Sequence, residues 1–162
     1  MVFVRMKCVE RISLMELFGR INDGIPIIFE DIIRRYGFNF EKITSSSSIM
    51  YKADYGFVMS IDRDYVDINF LRKEGNIIMT YWIQGFLIQK LDDNERSRNE
   101  EERTLETYLL GYLFTYEKSL QTKCKSILMG QMDWVDDLKK TPICDIRELN
   151  AKEYEKYGKF FV

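Results

Sequence analysis

From Tyr55 to Ile83 apolar and polar positions follow a period of two, which predicts three strands in succession: Tyr55–Ile61, Tyr65–Leu71 and Asn76–Ile83. Successive side chains of a strand point to opposite faces. Tyr55, Phe57, Met59 and Ile61 share one face of the first strand. Val66, Ile68 and Phe70 share a face of the second, with Tyr65, Asp67 and Asn69 on the other. This is the alternation of half-buried antiparallel strands. Asp62–Arg63–Asp64 joins the first pair, and Lys73–Asn76 joins the second, with Gly75 free to take positive φ. The third segment is apolar on both sides, which predicts a central strand, or one with helices on one face and a partner on the other.

Elsewhere the period lengthens to that of a helix. Ser13 and Glu16 have capping-box spacing, and Leu14, Leu17, Phe18 and Ile21 follow at helical intervals. Asn22–Asp23–Gly24 is expected to stop that helix. Pro26 suits the first turn of a second one, which carries Ile28, Phe29, Ile32, Ile33 and Tyr36 and ends at Gly37. Val2, Val4, Met6 and Cys8 alternate with Arg5 and Lys7, as in an edge strand or an extended lead-in. The four serines 45–48 read as a solvated loop, Ile49–Lys52 as a short strand, and Gly85–Leu91 as a helical turn or the end of the third strand.

The strongest helical stripe is Leu105, Tyr108, Leu109, Tyr112, Leu113, Tyr116 and Leu120. Asn99 is a good N-cap ahead of Glu100, Glu101 and Glu102, whose charges complement a helix N-terminus. The helix Asn99–Gln121 is expected to cover the sheet, its tyrosines forming core and rim. Met132, Trp134, Val135 and Leu138 predict a short helix that Thr141–Pro142 breaks. Asn150 and Glu153 repeat the capping-box spacing, so a last helix is expected to reach Tyr157, with Phe160–Val162 docked. Together these predict an α+β fold: a mostly antiparallel central sheet of about four strands packed against amphipathic helices, one domain over residues 1–162.

Composition narrows the function. The net charge is −2, 46% of residues are hydrophobic and 31% charged. The sequence pI is about 5.4. A basic stripe for nucleic acid is missing. Met1–Lys7 lacks the apolar run and small-residue cleavage site of a signal peptide. No apolar run approaches the roughly 20 residues that span a bilayer. A cytoplasmic protein is expected, without a membrane partner. Cys8, Cys124 and Cys144 have neither zinc-ligand nor disulfide-framework spacing and read as mostly buried thiols. There is no histidine, which removes Ser-His-Asp and Cys-His systems and the usual general base near neutral pH. No Ser-x-x-Lys, Walker loop or G-x-G-x-x-G is present. No catalytic residue, metal ligand or cofactor is assigned.

One short motif carries chemistry. Ile61-Asp62-Arg63-Asp64-Tyr65-Val66 resembles the first motif of haloacid-dehalogenase-type phosphotransferases, a hydrophobic strand followed by D-x-D-x-[TV]. The resemblance implies a nucleophilic Asp62, an acid/base Asp64 and magnesium nearby. That family needs a parallel sheet, and Asp is equally favoured in hairpin turns. The same acids fail as an EF-hand loop, because Val66 stands where an oxygen ligand is needed.

The alternative is a binding surface. Interface hot spots favour Trp, Tyr and Arg, and acids beside them suit a basic partner. Asp62, Asp64, Tyr65 and Asp67 form one candidate patch, and Asp133, Trp134, Asp136 and Asp137 another. Trp82, in an apolar strand, reads as core. The run Gly56-Phe-Val-Met-Ser-Ile-Asp-Arg-Asp-Tyr-Val-Asp-Ile-Asn-Phe-Leu71, followed by a strand and a tyrosine-rich helix, resembles the small bacterial immunity proteins of contact-dependent growth inhibition and related polymorphic toxin systems. The resemblance covers about residues 50–120. It implies a non-enzymatic protein that binds one cognate toxin domain, such as a nuclease, and blocks its active site or a neighbouring surface. A regulatory or adaptor domain, and a magnesium-assisted hydrolase using Asp62 and Asp64, are the competing readings.

Overall fold

The computed structural model describes residues 13–96 and 104–162. The expected lead-in at Val2–Cys8 and the cap at Asn99–Glu102 lie outside them. Chain order is α1 (Leu14–Ile28), α2 (Glu30–Tyr36), β1 (Asn39–Thr44), β2 (Ser47–Tyr51), β3 (Tyr55–Asp62), β4 (Tyr65–Glu74), β5 (Ile77–Trp82) and α3 (Gln84–Gln89). Then come α4 (Leu105–Thr122), α5 (Lys125–Leu128), α6 (Val135–Lys139), β6 (Ile146–Glu148), α7 (Ala151–Tyr157) and a 3-10 turn (Gly158–Phe161). The strands form one six-stranded antiparallel sheet in sequential order, β1-β2-β3-β4-β5-β6. The α+β expectation holds, with six strands where about four were expected.

The helical face of the sheet holds the larger core. Phe57 lies opposite Phe70, Met59 opposite Ile68, Ile61 opposite Val66, and Phe70 opposite Tyr81. All of these are buried under the helices. The tyrosine stripe of α4 anchors the long helix, since Tyr116 is fully buried and its hydroxyl donates to the Val66 carbonyl. Helix α4 starts at Thr104, whose side chain accepts from the Thr107 N–H in a capping box. The opposite face is only partly covered. Ile49, Val58, Leu71, Ile78 and Leu149 meet Phe161 there, and Tyr51 packs on Phe160 at 4.9 Å between ring centroids. The C-terminal segment is thus docked, and α7 begins at the Asn150–Glu153 capping box that the spacing predicts.

Two expectations need correction. Helix α1 does not stop at Asn22–Gly24 but runs through Gly24 and Pro26 to Ile28. An interior proline costs about 3 kcal/mol. Burying Ile21, Ile25 and Phe29 on one continuous face recovers about 1.5–3 kcal/mol each, so the stripe wins over the breaker. The serine run is a loop only in its first half: Ser45 and Ser46 form the turn, whereas Ser47 and Ser48 are buried in β2. They are tolerated because their polar groups are paired. The Asn22 amide donates to the carbonyls of Thr44 (2.9 Å) and Ser47 (3.2 Å), and its side-chain oxygen accepts from the Ser48 hydroxyl. Asn22→Ala leaves the carbonyls of Thr44 and Ser47 and the buried Ser48 hydroxyl without this partner and is expected to cost about 2 kcal/mol, measured by urea denaturation.

Candidate functional site

The site grows from the β3–β4 hairpin. Asp62 and Tyr65 pair across it, leaving Arg63 and Asp64 as a two-residue turn. Arg63 sits at φ 52, in the left-handed region such tight turns require. Asp62 and Asp64 are fully on the surface. The Tyr65 hydroxyl donates to Asp62 Oδ2 at 3.1 Å, and this bond raises the phenol pKa above its ordinary 10.0.

From Tyr65 the strand runs inward along the less covered face, placing Asp67 and Asn69 there. Asn69 lies opposite Trp82 of β5. Asp67 accepts from the Trp82 indole N–H through Oδ1 and from the Asn69 amide through Oδ2. Trp82 is therefore no core residue: it is half-buried, with its ring at the surface between two depressions. The outer one is an open groove of about 400 Å³ bordered by Asp64, Tyr65, Asp67, Trp82, Gln84 and Tyr112. The inner one is a pocket of about 210 Å³ on the sheet face, between Asp67, Thr80 and Trp82 and the C-terminal residues Arg147, Glu153 and Tyr157. Arg147 grips Glu153 with two hydrogen bonds, 2.6 and 3.0 Å, which raises the Arg147 pKa and lowers that of Glu153.

Burial pushes the Asp67 carboxyl above its ordinary value of 3.8, against the lowering effect of its bonds to Trp82 and Asn69. The charged form is thus harder to make in the folded chain than in the unfolded one. Below the ordinary value Asp67 is neutral in both states and contributes nothing. As pH rises through the folded value, stability is lost. Asp67→Asn, which keeps an oxygen for the Trp82 N–H, is expected to raise the melting temperature at pH 7 and leave it unchanged at about pH 3. Thermal unfolding across that range checks the sign.

The second patch does not join the first. Trp134 is buried on the helical side of the sheet, edge-on to Phe70 (5.3 Å, 89°) and Tyr81 (5.6 Å, 68°), with its N–H donating to the Gln131 carbonyl. Only 5% of it is exposed, where a contact residue was expected, and it borders a shallow depression with Asp133 and Asp137. Asp133, Asp136 and Asp137 are exposed around it, far from the face that carries Asp67. The meander also removes the parallel sheet that the phosphotransferase motif requires. Of the thiols, Cys124 is buried and Cys144 exposed. No helix among the described residues is long and apolar enough to cross a membrane.

Sequence reasoning set Trp82 aside as core and missed Thr80, Arg147 and Tyr157 as site residues. The one available signal was Trp82 itself, two residues beyond Thr80 on β5 and opposite Asn69 of β4. The chain matches no protein-family model, no curated protein and no solved structure.

Proposed function

We propose that this chain is a protein-binding inhibitor that docks a basic partner on the acidic, aromatic surface around the β3–β4 turn, in the manner of bacterial immunity proteins that neutralise a toxin domain. One observation carries the reading. Asp62, Asp64, Tyr65 and Asp67 come together beside a half-exposed Trp82 over an open groove. A rigid tryptophan held by a carboxylate is the kind of anchor that dominates interface energies. Acids on an exposed turn speed the encounter with a basic surface. The resemblance of residues 50–120 to immunity proteins points the same way.

The test is protection. Cells expressing the C-terminal domain of whatever large secreted protein is encoded immediately upstream are expected to survive when this chain is co-expressed and to die without it; an adaptor for some other protein gives no protection. Trp82→Ala is expected to weaken the complex by about 2 kcal/mol, roughly 30-fold in Kd, read by calorimetry.

A further inference from the structure

We infer that the inner pocket on the sheet face receives one arginine side chain of the basic partner, its guanidinium paired with Asp67 and seated against Trp82. This rests on the binding reading above and names the group that enters behind the outer groove. The two depressions share Asp67 and Trp82, so a chain lying in the groove can pass a side chain inward there.

The pocket is short of positive charge. Among the described residues no lysine or arginine pairs with Asp67. Arg147, the cation in the wall, is already held by Glu153 and also faces Asp145 at 3.9 Å. One guanidinium thus stands against three carboxylates. The pocket is also short of hydrogen-bond partners. Thr80 is 5% exposed, yet its hydroxyl borders the pocket and bonds to no protein group among the described residues. Ser60 and Tyr157, both half-buried, also line the pocket. The Thr80 oxygen opens onto the pocket, where a guest N–H can take the place of water.

Arginine fits these features better than lysine. Asp67 accepts from Trp82, Asn69 and the Ile68 N–H, and its remaining lone-pair capacity can meet a guanidinium N–H. The guanidinium is more weakly hydrated than ammonium and stacks on aromatic rings, which Trp82 and Tyr157 supply. A volume of about 210 Å³ lies below the 300–1,000 Å³ typical of small-molecule sites and suits a single side chain. The raised Asp67 pKa agrees, since it marks a desolvated carboxylate without a cation.

The test is a titration with ethylguanidinium, with ethylurea and ethylammonium at matched ionic strength, followed through the indole N–H resonances. The chain has two tryptophans, and Trp134, in the core, serves as the internal reference. A saturable shift of the Trp82 resonance with ethylguanidinium is expected, with none from ethylurea. It should vanish in Asp67→Asn and weaken in Thr80→Val, with the Trp134 resonance unmoved in both. Absence of the shift in the native chain, its reproduction by ethylurea, or its persistence in Asp67→Asn overturns the inference. Tighter binding of ethylammonium overturns the choice of arginine. The titration uses no partner protein, so failure of the toxin experiment leaves it standing. A partner that binds while ethylguanidinium does not removes the pocket inference alone.

Discussion

Phe70→Ala is expected to destabilise the protein by about 3–5 kcal/mol, the usual cost of emptying a buried phenylalanine site. At about 2 kcal/mol per molar urea, the unfolding midpoint falls by about 2 M. Phe70 is fully buried at the middle of the sheet. Its ring lies 5.5 Å from Phe57, 5.8 Å from Tyr81 and 5.3 Å from Trp134, linking β3, β5 and the segment leading into α6. Such aromatic pairs add to the area they bury. The neighbours are held by the strand ladders, so the cavity cannot close by collapse. Ile27→Ala provides the contrast. Ile27 is equally apolar but 75% exposed, and its loss is expected to change the midpoint by less than about 0.5 kcal/mol equivalent.

Gly56→Ala is expected to cost about 3 kcal/mol, the upper end for overpacking. Gly56 pairs with Tyr51 across β2 and β3. A Cβ at this position falls 2.7 Å from the Met50 carbonyl oxygen and 2.9 Å from Cα and Cβ of Tyr51. These atoms belong to the neighbouring strand, so no rotamer change relieves the clash and the two strands must part. Tyr51 in turn supports Phe160, so the C-terminal turn loosens with them. Urea denaturation gives the loss. Limited proteolysis is expected to cut after Tyr157 sooner than in the native chain.

The two central hairpins were legible because β4 alternates along its length and short polar turns set it off from the apolar strands on either side. Strand β1 was not, because a bulge between Lys42 and Thr44 shifts its register and its side chains are mostly exposed at the sheet edge. Strand β6 has three residues, too few to show a period. The continuation of α1 past Pro26 depends on a buried face and on Asn22 reaching β2, and no local window contains either. The candidate site divides the same way. Asp62, Asp64, Tyr65 and Asp67 lie on one hairpin, so chain order already brings them together. Trp82 and Trp134 exchanged places because sequence neighbours report local polarity, not the side of the sheet on which a ring falls. Arg147, Glu153 and Tyr157 reach the inner pocket only when the C-terminus folds back across the sheet.

The central claim is that the β3–β4 end of the sheet, and not the surface around α6, binds a protein. Calorimetry against the C-terminal domain of whatever large secreted protein is encoded immediately upstream, with two variants, tests it most directly. One variant combines Asp62→Lys, Asp64→Lys and Trp82→Ala, and the other combines Asp133→Lys, Asp136→Lys and Asp137→Lys. The account predicts a one-to-one nanomolar complex that the first variant weakens by about 100-fold or more and the second leaves unchanged. No complex, or a complex that the first variant leaves intact, contradicts it.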